Sequence, residues 1–187
     1  MERKAINEES LYWPLEADQN GVNLGLTVLQ TPGHTPDSLT VYDREERQLF
    51  TGDTFYYRHC TLPGGIEFRQ AIEFCQASSF GHFLSTLKRL KVFVRNEEDT
   101  ELECVERPRK LRISCAHTTA AIPAMKLLDD VQEYVSRMIA GGSIPEHSKR
   151  IRGRDMILYE EAGDPDLSVL GPAWLLDGFR QNHHTRN

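Results

Sequence analysis

The sequence has no apolar run near the roughly 20 residues that a membrane-spanning helix requires. Residues 1–10 are charged, and the apolar stretch after them, residues 11–15, is short and broken by Pro14, so no signal-peptide pattern is present. Cysteine is scarce: Cys60, Cys75, Cys104 and Cys115 form no C-x-x-C pair and no zinc-finger spacing. A disulfide framework is therefore not indicated, and the four read as reduced thiols in the cytoplasm or another reducing space. Basic residues are not in excess either. The 22 Lys+Arg stand against 28 Asp+Glu, a net charge of -6, which argues against a nucleic-acid or anionic-membrane footprint over the whole surface. Internal repeats and low-complexity tracts are absent. What is present is a globular composition, 39% hydrophobic over 187 residues, enough for a single core without covalent staples.

The first 20 residues are mixed and polar and read as a loosely held lead-in. Val22, Leu24, Leu26 and Val28 then alternate with smaller or polar residues, the period of a strand with one buried face. Pro32 and Gly33 end it. Leu39 and Val41 share a face of a second strand over 38–43, residues 43–47 form a charged turn, and 48–51 form a third strand ending at Gly52-Asp53. Residues 54–78 are aromatic and irregular in period, predicting a long loop with one helical turn around 66–75.

A helix follows, capped by Ser78 or Ser79, with Phe80, Phe83, Leu84, Leu87 and Leu90 on its apolar face. His82, Ser85, Thr86 and Arg89 fall on the opposite, solvent-like side. Residues 96–101 read as an acidic turn, and Leu111, Ile113 and Cys115 as a short strand running into Ala116-His117. A second helix is predicted over 124–140, burying Leu127, Leu128, Val131, Val135, Met138 and Ile139, with Gly141-Gly142 as its stop. Beyond a basic segment over 149–154 lies a strand at 156–159, and part of 163–179 is expected to pack down. Strands and helices do not alternate one to one, so a mixed α/β class with α+β layers is favoured over a doubly wound parallel sheet.

Three residues that carry chemistry stand just past predicted strand ends: His34 in Thr31-Pro32-Gly33-His34-Thr35-Pro36-Asp37-Ser38, Asp53 after Gly52, and His117 after Ala116. Loops on a rigid sheet are where ligand groups are commonly placed, and two imidazoles with a carboxylate form an N/O donor set suited to zinc and similar metals. Singly, each is more simply a turn or strand-end residue. Together, in this order and with these flanks, the three segments resemble the second half of the metallo-β-lactamase superfamily, from about residue 22 to about residue 142. The T-P-G-H-T-P-x-S segment is the most specific part.

The resemblance implies a partial αββα sandwich over 21–187, with its motifs in 31–118. It implies one or two metal ions, zinc first with manganese or iron as alternatives. His34 would bind the first ion, Asp53 would bridge both, and His117 would bind the second. It further implies hydrolysis of an ester, thioester or lactone by metal-activated water, closest to the glyoxalase II, lactonase and acyl-CoA thioesterase branches. The family's H-x-H-x-D-H loop has no counterpart among His59, His82, His147, His183 and His184. Two protein ligands per ion fall short of the three expected at a catalytic zinc. The chain therefore reads as a second half whose metal site is incomplete: a shortened gene model, an isoform or a degenerate copy.

Of the other histidines, His59 is a secondary candidate for metal or substrate, and His183-His184 read as a frayed tail. The 149–154 basic run reads as a solvated face, with binding of substrate phosphates as its functional alternative. The expected partner is a small ester or thioester, with no nucleic acid and no membrane. A lone half would leave an apolar sheet face open to a protein partner or to self-association. The rival reading is a non-catalytic module that keeps the three residues as loop anchors or a weak metal site.

Overall fold

The computed structural model describes residues 12–15, 24–62, 65–104, 109–116, 120–140, 146–151, 153–161 and 166–175. Its first sheet contains β1 (Tyr12–Leu15), β2 (Leu26–Gln30), β3 (Leu39–Asp43), β4 (Gln48–Phe50), β8 (Arg112–Ser114) and β9 (Ile122–Pro123), in the order β1-β2-β3-β4-β8-β9. Strands β1 to β4 pair antiparallel, whereas β4 and β8 are parallel. The crossover between them carries β5 (His59–Leu62), β6 (Ile66–Arg69), β7 (Ile72–Glu73) and the helix α1 (Phe80–Cys104). After β9 come α2 (Ala124–Ala140), β10 (Glu146–Ile151), β11 (Arg154–Glu160) and β12 (Ser168–Pro172). Strands β10, β11, β12 and β7 make a second sheet in that order, and β5 and β6 a two-stranded one.

One face of the first sheet is core. Leu29, Tyr42, Leu49 and Ile113 are buried on it, together with Phe83, Leu87, Leu90 and Val94 of α1 and Leu127, Leu128, Val131 and Val135 of α2. Burying each such side chain stabilises by about 1.5–3 kcal/mol. The alternation of Leu24, Leu26 and Val28 has the right period but marks the wrong face. Leu26, Val28 and Val41 are only half-buried, and Leu39 and Phe50, which share their side of the sheet, are 51% and 47% exposed. This sheet has two apolar faces, and the helices cover the one bearing Leu29 and Tyr42.

The lead-in contains a strand, since Tyr12–Leu15 pairs with Leu26–Leu29; Pro14 is tolerated there because β1 is an edge strand. The helical turn expected around 66–75 is not formed. Instead β6 pairs with β5, and β7 pairs in parallel with β12. The irregular spacing of aromatics is explained by what they pack against: Phe55 and Phe74 lie 5.3 Å and 5.0 Å from Phe83, ring centre to ring centre. Such ring pairs, Phe74 edge-on to Phe83 and Phe55 tilted against it, add to plain burial.

Ser79 caps α1, its Oγ accepting from the His82 N–H at 3.3 Å. The helix then continues through the expected acidic turn at 96–101. Polar residues there serve the fold: Glu97 accepts from the Tyr42 hydroxyl at 2.8 Å, and Glu98 from the Leu111 N–H at 3.1 Å. Arg47, at the end of the β3–β4 turn, is buried and donates to the Glu97 carbonyl at 3.1 Å. Thr86 is also buried, contrary to its placement on the solvent side, because the 30–33 segment lies over that side of α1. Its Oγ1 donates to the Pro32 carbonyl at 2.7 Å, and Arg89 Nη2 donates to the Gln30 carbonyl at 3.2 Å. His82 is exposed as expected. Helix α2 spans the anticipated residues, with Tyr134 added to its buried side; its expected stop at 141–142 lies outside the described residues.

Gly33 marks the closest approach. Its φ is +149°, and a Cβ there would lie 2.5 Å from Phe83 Cα and 2.7 Å from Phe83 N. Gly33→Ala should therefore cost roughly 2–4 kcal/mol of unfolding free energy, strain and overpacking combined. Gly25→Ala, at φ +62° with nothing within 4 Å, should cost only the strain, about 1 kcal/mol. Urea denaturation measures both, and equal losses would refute the close packing at Gly33.

Candidate functional site at one end of the first sheet

Chain direction brings the predicted segments together. Strands β2, β4 and β8 all run the same way, since β3 reverses between the first two and β4 pairs parallel with β8. The loop after β2 carries His34, that after β4 carries Asp53, and that after β8 leads toward His117, so all three segments leave the same end of the sheet. The pairing continues past the strands. Thr51 N–H donates to the Ser114 carbonyl at 3.0 Å and Ala116 N–H to the Gly52 carbonyl at 2.8 Å. Asp53 thus directly follows a residue bonded to the one preceding position 117. His117 itself lies outside the described residues, as do His183 and His184.

The loop around His34 is locked by its own motif residues. Thr31 N–H donates to the Ser38 carbonyl at 2.8 Å, closing the base, and Thr31 and Thr40 share a buried hydroxyl contact of 3.1 Å. Thr35 N–H donates to Ser38 Oγ at 3.0 Å. From outside, the Ser79 N–H donates to the Gly33 carbonyl at 2.9 Å, and the Ser78 hydroxyl donates to the His34 carbonyl. The imidazole Nδ1 of His34 lies 2.6 Å from the backbone carbonyl of Glu73. A carbonyl only accepts, so Nδ1 carries the proton, and in the neutral ring Nε2 holds the lone pair. That is the tautomer and support expected of a metal-binding histidine.

Asp53 is exposed, and Gly52, at φ +56°, makes the turn that presents it. Beside it Tyr56 is buried, and desolvation pushes its phenol up to about 12. The Glu73 N–H and the Gln70 amide bond to this phenol and oppose the shift, while the Asp53 and Glu73 carboxylates reinforce it. Burial likewise pushes Cys115 up to about 12, against the Thr51 hydroxyl that donates to its sulfur at 3.2 Å. Cys75 and Cys115 are both free thiols. His59, the secondary candidate, is half-buried on β5 opposite Arg69. Among the described residues no group of three or more His, Cys, Asp or Glu is arranged to hold a metal, so His59 does not complete one with His34 and Asp53. Sequence reasoning missed Glu73 and Ser78, which hold His34 from 39 and 44 positions away; no local pattern signals such partners.

A cleft of about 640 Å³ adjoins this end, lined by Glu73, Cys75, Arg154, Met156 and Trp174 among others. Trp174 is 58% exposed, a large apolar surface at its rim.

A strand-end histidine with a committed Nδ1, an exposed aspartate after a parallel strand, and two helices on the buried face of the sheet describe half of a layered α/β sandwich. The profile of the metallo-beta-lactamase superfamily matches residues 13–117, and the chain belongs to that superfamily. A relative described as putative transcription factor avaE, from Aspergillus versicolor, is 26% identical over 132 residues, covering 71% of this chain and 34% of that protein. The chain thus spans about a third of that relative's length. Among solved structures, the crystal structure of TTHA1623 in a di-iron-bound form is similar at 22% identity and a TM-score of 0.34, over 61% of this chain and 46% of that one.

Two measurements follow from the burial of these groups. At pH 8 a thiol near 12 is almost wholly protonated, so Cys115 should resist iodoacetamide in the native protein and react fully in urea, as peptide mapping by mass spectrometry would record. Tyr42, Tyr56 and Tyr57 are each raised to about 12, against about 10 when unfolded. The native state therefore holds these protons more tightly. Its stability from this source is complete below pH 10 and is lost as pH rises toward 12. Alkaline unfolding with tyrosinate absorbance rising in the same transition is expected; ionisation well before unfolding would contradict it.

Proposed function

We propose that the chain forms the second half of a metal-dependent hydrolase site acting on an ester, thioester or lactone. The observation that carries this reading is the geometry of His34, whose Nδ1 is held by the Glu73 carbonyl while its loop shares a sheet end with Asp53 and the exit of β8. The donor types fit a borderline metal such as zinc, with manganese or iron as alternatives. In this proposal His34 and Asp53 would hold one ion, and Asp53 and His117 a second. A bound metal would supply an activated water and polarise the scissile carbonyl. The protein's own residues do the positioning: Glu73 and Ser78 orient His34, and the adjoining cleft receives an uncharged acyl portion against Trp174 and Met156. A reducing compartment, the cytoplasm, suits the free thiols of Cys75 and Cys115. No described helix is long and apolar enough to cross a membrane.

A second reading, a non-catalytic binding module, is favoured by the described residues' lack of a three-ligand group and by the exposed Leu39 and Phe50 on the uncovered sheet face. That face would take a protein partner or a second copy of the chain.

Elemental analysis and turnover assays separate the two. The hydrolase reading expects near-stoichiometric zinc, manganese or iron in the purified chain, with Asp53→Ala and His34→Ala each lowering metal content and cutting thioester hydrolysis by roughly 100-fold. Absence of both metal and turnover in the parent chain leaves the binding module.

A further inference from the structure

A second cleft, of about 420 Å³, lies further along the second sheet and shares Ile151 with the one beside Glu73. Lys149, Ile151, Leu158, Glu160, Ser168 and Leu170 line it from β10, β11 and β12. By register they occupy one face of the sheet, opposite the buried Tyr159 and Val169. Arg58, Arg69 and Gln70 also line it. Three cations and one carboxylate therefore meet there, in a chain whose net charge is -6.

Arg58 is only 6% exposed, and its Nη1 has no hydrogen-bond partner. Its Nη2 is committed to the Glu160 carboxylate. A buried guanidinium nitrogen left without an acceptor costs free energy, and Arg58 is one of the residues lining the cleft. Gln70 Oε1 is also buried without a partner, and its amide can turn to present its N–H groups instead, with Oε1 then accepting from the Tyr56 hydroxyl. Arg69 and Lys149 are exposed at the rim, and neither side chain makes an ion pair with a described residue. A carboxylate would need only one guanidinium fork. Donors from the segment before β5, from β6 and from β10, lining one cleft, match an oxyanion with three or more acceptor oxygens.

We propose that the Arg58, Arg69 and Lys149 cleft is a phosphate-binding site. It stands without the hydrolase reading; only its use in catalysis rests on that reading. Met156, in the cleft beside Glu73, lies four residues along β11 from Glu160, about 13 Å. A phosphate bound at Arg58 would then belong to a substrate whose reacting end lies in the cleft next to Glu73, or be free phosphate.

The test titrates the full chain with inorganic phosphate by calorimetry, against chloride at matched ionic strength. Saturable binding at one site is expected. Arg69→Gln and Lys149→Gln should each weaken it by roughly five- to tenfold, without changing the melting temperature in phosphate-free buffer. Arg58→Gln leaves Glu160 unpaired and risks misfolding, so the two rim variants decide. No saturable binding, or binding that both rim variants leave unchanged, overturns the site. Kinetics with a phosphate-bearing thioester and its dephosphorylated form then identify the source. A lower KM for the phosphorylated form, lost in Arg69→Gln with kcat unchanged, assigns the site to the substrate. Equal KM values with phosphate binding intact assign it to free phosphate. Phosphate binding without any turnover upholds the site and rejects the hydrolase reading, whereas turnover without phosphate binding does the reverse.

Discussion

The parallel pairing of β4 with β8 joins segments more than 60 positions apart and sets the direction in which both strands leave the sheet. Without it Asp53 and the chain leading to His117 would be unrelated loops. The hydrogen bonds that extend the pairing, Thr51 to Ser114 and Ala116 to Gly52, carry the register two residues past the strands to the site itself. A parallel connection needs a crossover, and here the crossover brings α1 onto the sheet and sends β7 to the second one. Glu73, on β7, thereby reaches His34.

The same crossover explains why so much of α1 is unlike a surface helix. Its apolar stripe meets Leu29, Tyr42 and Leu49, while its nominally polar side is taken by the Pro32-Gly33 segment, with Thr86 and Arg89 bonding main-chain carbonyls there. Only glycine allows the loop to approach the Phe83 backbone so closely. A small residue, two polar helix positions and a capping serine thus act together, and their combined effect is the fixed position of one imidazole.

Much of this was legible in the sequence. The T-P-G-H-T-P-x-S segment, the G-D turn and the strand before Ala116 pointed to the superfamily that the profile match bears out, and the span of α2 followed from its 3.6-residue period. Other parts were not legible, for identifiable reasons. A period of two locates a strand but not its buried face when both faces are apolar, so Leu26 and Val28 were expected where Leu29 is found. Charged residues such as Glu97 and Glu98 read as a turn because their partners, Tyr42 and the Leu111 N–H, are remote in sequence. Phe55 and Phe74, within the irregular 54–78 stretch, follow no helical or strand period because both pack against Phe83 rather than along one element.

By itself, the sequence determined which chemical groups are available: two imidazoles and a carboxylate at strand ends, free thiols, and a net acidic chain with a basic run near its end. These are properties of residue type and local order, and they survive any arrangement. Only the tertiary structure decided which nitrogen of His34 is committed, that Arg58 is buried with one donor unmet, and that Lys149 and Arg69 line one cleft. Each of those depends on contacts between segments dozens of residues apart, and such contacts form through sheet pairing and burial, which act on the whole chain.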